Sequence, residues 1–251
     1  MMRRQRTLFA GAIAAMCTLA PVVAAQVSPR TLVTRAIAAA GGARAARAAS
    51  AIEWSGSATV HAGGRTVEIR GRWRVAPDTA VSTTWMASQD SSAARSLVVA
   101  GERGWLVRAG TATAMPADML TEERHQFHLY ELLRLVPLLE SPLTLEGAPP
   151  DSAGNAAVLV RSPDYPDVTM YFDAAHRLVR MVTTFAAPGG ALGARQELRL
   201  TGQVRVGGFR WFRQLDIRRD GQPYFTLRID RAHRATGLLT EWLRLAGVPP
   251  A

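Results

Sequence analysis

Residues 197–229 read ELRLTGQVRVGGFRWFRQLDIRRDGQPYFTLRI, and the fold is decided by how this stretch is punctuated. Leu198, Leu200, Val204 and Val206 alternate with Glu197, Arg199, Thr201, Gln203 and Arg205, the period of two expected of a strand with one buried and one charged face. Gly207-Gly208 and Asp220-Gly221 are two-residue turns of the kind that join antiparallel neighbours. Strands are therefore expected at 197–206, 209–218 and 223–229.

The same grammar extends toward the N-terminus. Val67, Ile69, Trp73 and Val75 alternate with Thr66, Glu68, Arg70, Arg72 and Arg74, behind a Gly63-Gly64 turn. A period of two begins at Ile52, and further strands are expected near 80–86, 96–100, 105–108, 143–146, 157–161, 168–172 and 178–185. Short connections specify an antiparallel meander of roughly ten strands. Ahead of it, Ser28 can cap a helix, Pro29 suits its first turn, Leu32, Val33, Ala36 and Ile37 share a face, and Gly41-Gly42 ends it. A second helical turn is expected over 43–49.

One segment breaks the β pattern. Residues 121–139, TEERHQFHLYELLRLVPLL, begin with acidic residues and end near a proline, as a helix does. Beyond Phe127 this helix is apolar on nearly every side, through Leu129, Leu132, Leu133, Leu135, Val136, Leu138 and Leu139. Glu131 and Arg134 relieve it, and Arg134 is expected to tolerate replacement. A surface helix shows one apolar stripe, so this one is enclosed on more than one side, inside the curve of the sheet.

The first twenty-five residues set the compartment. Arg3, Arg4 and Arg6 precede an apolar stretch from Leu8 to Ala20, and Val23-Ala24-Ala25 offers a cleavage site before Gln26. The expectation is a signal peptide over 1–25, a single domain over 26–251, and export from the cytoplasm. The apolar run is shorter than the ~20 residues of a membrane span, and no transmembrane segment is expected elsewhere. The single cysteine, Cys17, lies in the leader, so neither a disulfide nor a lipid anchor is expected.

Without the three leader arginines the formal charge falls from +10 to +7, and the chain contains no lysine. The arginines are spread from Arg30 to Arg244, whereas nucleic-acid binding needs charge gathered on one face, so no nucleic-acid partner is expected. Arginine pairs bidentately with carboxylate and phosphate, which leaves anionic lipid headgroups or acidic partners open.

Catalytic and metal signatures are weak. His125, His128 and Glu131 recur every three residues, but steps of three rotate around the helix axis, and the glutamate between paired histidines that marks a zincin is missing. Ser55 and Ser57 flank Gly56 without the strand-to-helix elbow of a serine hydrolase. Glu122-Glu123 suits a first helical turn, and Asp164 and Asp167 flank a turn at Tyr165-Pro166. No catalytic residue, metal or cofactor is expected.

The opening helix, the Gly-Gly break, a first strand containing Trp54-Ser55-Gly56-Ser57, one-sided meander strands and a mid-chain apolar helix together resemble the LolA-like periplasmic superfamily, which includes outer-membrane lipoprotein carriers and lipid-binding proteins. The resemblance implies an α+β, mainly β fold. It is an incomplete antiparallel β-barrel, a curved meander, with an N-terminal helix and a central apolar helix as lid. It also implies a non-enzymatic binding protein for lipid, a lipoprotein acyl chain or another elongated apolar ligand, acting as carrier or sensor. Its partner would be a lipid or an acylated lipoprotein, with envelope proteins as further partners. The ligand patch expected on that basis comprises Trp73, Trp85, Trp105, Phe127, Leu132, Leu133, Val136, Phe209 and Trp211. Two alternatives stay open, an envelope interaction protein with a filled core and an unrecognised envelope enzyme.

Overall fold

The computed structural model describes residues 27–140, 142–185 and 193–236, together with 241, 243, 244 and 248. The leader expected at 1–25 lies outside the described residues. The chain opens with helices α1 (Pro29–Ala39) and α2 (Ala43–Ala48). The Thr31 N–H donates to Ser28 Oγ at 3.2 Å, and Pro29 stands in the first turn, where an N–H would have no helical partner. Leu32, Val33, Ala36 and Ile37 form the buried face, as the 3.6-residue period requires.

Six strands follow: β1 (Ile52–Ala62), β2 (Arg65–Ala76), β3 (Thr79–Met86), β4 (Arg95–Ala100), β5 (Arg103–Arg108) and β6 (Thr111–Ala114). Helix α3 (Ala117–Leu132) and a 3-10 turn (Val136–Leu139) come next. Seven more strands complete the described fold: β7 (Thr144–Ala148), β8 (Ala156–Arg161), β9 (Val168–Phe172), β10 (Leu178–Phe185), β11 (Ala194–Val206), β12 (Phe209–Arg219) and β13 (Gln222–Arg234). All thirteen make one antiparallel sheet in the order β6-β5-β4-β3-β2-β1-β13-β12-β11-β10-β9-β8-β7. The chain thus runs outward from the middle to one edge, crosses to the other edge through α3, and returns to pair β13 with β1. Edges β6 and β7 do not pair, so the barrel stays open.

The thirteen strands exceed the roughly ten expected, and one of them, β6, has no counterpart among the strand segments read from the sequence. β6, with the sequence TATA, is a four-residue edge strand too short to show alternation. The central helix also differs from its expected limits. It starts at Ala117, because Pro116 takes the cap position and Asp118 supplies the first-turn acid. It stops after Leu132, because Pro137 has no N–H to continue the ladder, and the chain turns at Leu135 with φ +66° before the 3-10 turn.

Register sorts the side chains into two faces. Trp54 pairs with Trp73, Leu198 with Ile217, and Leu200 with Leu215, and all of these are buried on the inner face beneath α3. Ser55 pairs with Arg72 and Ser57 with Arg70 on the outer face, where both arginines are exposed. α1 is seated against the turn between β11 and β12. Gly41, at φ +117°, brings its Cα so close that a Cβ would lie 2.2 Å from the Gly208 carbonyl oxygen. The Arg210 N–H donates to the Ala40 carbonyl at 2.7 Å, and Arg210 Nη1 to the Ala39 carbonyl at 2.6 Å, so the helix end is tied to the sheet.

Candidate ligand site beneath the central helix

From His125 to Leu138 almost every residue of α3 and the following turn is buried. The enclosure has two sources. One side of the helix lies on the inner face of the sheet, and the loop between β8 and β9 closes over the other. Tyr165 of that loop stacks on His128 with ring centroids 4.0 Å apart, and Ser162 Oγ lies 3.0 Å from His128 Nε2. His125 stacks on Phe185 of β10 at 4.8 Å.

An aromatic cluster fills the space under the middle of the helix. Trp54 stands at its centre, fully buried, with ring centroids 5.8 Å from Tyr130, 5.9 Å from Trp211, 6.3 Å from Phe212 and 6.4 Å from Trp73. The buried indole N–H groups of Trp54 and Trp211 find no acceptor among the described residues. Trp54 was not among the expected site residues. The signal for it was the period of two through Ile52, Trp54, Gly56 and Ala58, all of which face inward opposite β2.

Seven of the nine expected patch residues meet on this inner side. Trp73, Phe127, Leu132, Leu133, Val136, Phe209 and Trp211 all belong to one buried cluster. Trp85 and Trp105 do not. Trp85 pairs with Arg70 and is half-buried on the outer face. Trp105 pairs with Val98, which pairs with Val81, opposite outward-facing Arg74. It joins a small outer cluster with Val81, Val98 and Val107, covered by Leu243 and Val248 near the C-terminus. Hydrophobicity placed both tryptophans in the patch; strand parity puts them on the other face.

Cavities remain on both sides of the aromatic cluster. One of about 310 Å³ opens between the end of α1, the break after α3 and strands β10–β12; Ala36, Ala40, Leu133, Leu135, Leu200, Phe209 and Trp211 are among its walls. A second, about 130 Å³, lies under α3 between Trp73, Phe127, Tyr130 and Phe225, with Glu122, Glu123 and Gln126 on its polar side. Trp54 stands between the two, touching Trp211 and Phe212 of the first and Trp73 and Tyr130 of the second. A cavity of about 200 Å³ lies on the far side of α3, between Phe127, His128 and Tyr165 and the β4–β5 turn. Another, about 320 Å³, separates α1 from the β7–β9 arm and adjoins Val27, where the described residues begin.

The polar groups near the helix start are tied to one another. Arg219 Nη2 donates to Glu122 Oε1 at 2.9 Å, and its guanidinium lies 4.2 Å from the Phe185 ring centre and 3.7 Å from that of Tyr224. Arg219 Nε donates to Gln196 Oε1 at 3.0 Å, and Gln196 Nε2 to Gln126 Oε1 at 3.1 Å. Burial, reinforced by the neighbouring Glu122 carboxylate, pushes the Glu123 carboxyl up to about 7. Burial holds both His125 and His128 down at about 4, with Arg219 adding to the effect on His125 and His125 to that on His128. Both rings are therefore neutral and serve as stacking surfaces. Glu131, the third member of the candidate metal set, faces the Asp78 side of the helix, and among the described residues no three ligating side chains converge.

At the helix end Arg134 is buried, and its Nη1 donates to the Ser50 carbonyl at 2.6 Å. The expectation that it relieves the helix on a tolerant side is corrected: it pins the end of α3 to the chain just before β1. Among the described residues no helix is long and apolar enough to cross a membrane.

No protein-family model and no curated protein sequence matches the chain. Its fold does match solved structures. A LolA superfamily protein from Nitrosomonas europaea superposes with a TM-score of 0.56 at 10% identity, over 86% of this chain and 96% of that one. An outer membrane lipoprotein-sorting protein domain from Vibrio parahaemolyticus gives 0.55 at 8% identity over the same shares. A DUF1329 family protein from Desulfovibrio piger gives 0.54 at 9% identity, again over 86% and 96%. The chain therefore has a LolA-like fold.

Proposed function

We propose that this protein binds an elongated apolar ligand, a lipid or the acyl chain of a lipoprotein, in the periplasm, and acts as its carrier or sensor without catalysing a reaction. Residues 1–25 would be removed as a signal peptide on export. The observation that carries the reading is the cavity of about 310 Å³ beside the break in the central helix, with Leu133, Leu135, Leu200, Phe209 and Trp211 among its walls. That volume is at the lower end of the range for small-molecule sites, with room for about ten water-sized groups. A buried chain of about ten methylenes gains about 8 kcal/mol before ordering costs, sufficient for a stable complex with no charged contact. The LolA-like fold and the lipoprotein-sorting description of the Vibrio parahaemolyticus domain support the same ligand class.

The test is saturable uptake of a fluorescent acyl probe by the purified protein, alongside lipid extraction of protein isolated from envelope fractions. Leu133→Asn places an amide in the cavity wall and is expected to weaken probe affinity about ten- to hundredfold. Val136→Asn, in the core outside that wall, is expected to lower stability comparably while leaving the affinity of the folded protein unchanged. Neither bound lipid nor saturable uptake in the wild type would sink the carrier reading and leave the aromatic-filled interior as the core of an interaction protein.

A further inference from the structure

The outer face of the sheet carries a pattern for which the cavity has no use. Register places Arg228, Ser57 and Arg70 side by side on β13, β1 and β2, and two residues further along β1 it places Arg231, Ser55 and Arg72 in the same arrangement. Each rung is arginine, serine, arginine. All four arginines are exposed, and among the described residues none takes part in an ion pair. The acids of the flanking rungs are engaged elsewhere: Glu53 with Arg74, Glu68 by the Thr59 hydroxyl, and Asp216 by Gln214 and Thr226. Asp230, exposed in the bulge between Ile229 and Arg231, is the one acid set among the four.

Strands lie about 4.8 Å apart and rise about 3.4 Å per residue, so the four arginines root at the corners of a patch about 10 Å by 7 Å, with only short serines between them. Trp85 extends the first rung onto β3, half-buried on the same face. A small anion is held best in a concavity that surrounds it. An open sheet face with guanidinium groups at four corners instead matches a plane of separate phosphates, each taken by a planar fork. A partly exposed tryptophan beside them suits the polar–apolar boundary of a lipid layer.

We propose that this face docks the protein on a bilayer surface rich in anionic phospholipid, with Arg70, Arg72, Arg228 and Arg231 on headgroup phosphates and Trp85 at the rim. The inference is independent of what the cavity binds.

The experiment is co-sedimentation of the full mature chain with vesicles of phosphatidylcholine, with and without phosphatidylglycerol, across a salt series. Binding is expected only with phosphatidylglycerol and should weaken as salt screens it. Replacing the four arginines by glutamine should reduce partitioning by about fivefold for each arginine engaged, and by at least about a hundredfold together. The charge-matched set Arg44, Arg47, Arg95 and Arg108→Gln should lose far less, and both variants should unfold at the wild-type midpoint. Equal loss in the two sets would overturn the proposal, because binding would then follow net charge alone. Absence of binding to phosphatidylglycerol vesicles, or binding to an acidic polypeptide instead, would overturn it too. Loss of vesicle binding in Leu133→Asn with retention in the arginine variant would also count against it, by assigning attachment to the cavity.

Discussion

Single ionisable residues of α3 are held in the form that burial favours, and this gives the fold two opposed pH limbs. His125 and His128 are neutral in the folded state down to about pH 4, whereas their ordinary value is 6.5. In the window from 6.5 down to 4 the unfolded chain takes up protons that the folded protein refuses, so stability is present above pH 6.5 and is lost as the pH falls. Glu123 works the other way. Its folded value of about 7 lies above the ordinary 4.5, so its contribution is present below pH 4.5 and is lost as the pH rises through 7. His125→Phe keeps a flat ring against Phe185 and removes one proton acceptor, so its melting temperature should gain on the wild type at pH 5 by more than at pH 8. Glu123→Gln should gain more at pH 8 than at pH 5. Each group contributes on the order of 3 kcal/mol when its limb is fully expressed. Parallel melting curves for wild type and both variants between pH 5 and pH 8 would refute these assignments. The sequence showed the histidines at a ligand-like spacing; Phe185 and Tyr165, distant along the chain, decide that they stack.

Among the elements, α3 was the most legible in kind and the least in extent. Its excess of leucine announced an enclosed helix, but its ends depend on Pro116 and Pro137, and its covering depends on the loop that carries Tyr165. Arg134 shows the limit. By sequence it relieves an apolar run; in the fold it is buried at the helix end with its guanidinium on the Ser50 carbonyl. Arg134→Gln is therefore expected to cost about 1.5–3 kcal/mol in denaturant unfolding, the range for a hydrogen bond to a charged group. A variant within about 0.5 kcal/mol of wild type, typical of surface positions, would show that the contact does not anchor the helix.

At the scale of the whole molecule, two meanders are joined through the β1–β13 pairing and by a helix that crosses from one sheet edge to the other. Trp54 occupies their junction, with neighbours on β2, β12 and α3. Removing it opens a space that none of three rigid elements can collapse to fill, so Trp54→Ala should cost about 3–5 kcal/mol. Arg72, directly opposite the adjacent Ser55 on the outer face, should change stability by less than about 0.5 kcal/mol when replaced by Gln. Chemical denaturation of the two variants compares the faces directly, and equal losses would mean that the register is wrong.

By itself the sequence determined what local chemistry can dictate. The cap at Ser28, the glycine turns of the β hairpins and the alternation that separates Trp73 from Arg72 are written within a few residues of where they act, because a strand's side chains change face at every step. Which strands are neighbours across the middle of the sheet was not written there. The pairing of β1 with β13 joins residues far apart in the chain, and only the closed tertiary arrangement selects it. The nine residues of the expected patch divide by a nearer cause. Composition made each of them a good lining, but face is a property of register, and the registers between consecutive strands sent Trp85 and Trp105 outward while they turned Trp54 inward. Whether the space under the helix is open or filled is likewise a matter of packing volume, and the fold resolves it into a dense aromatic middle with cavities on either side.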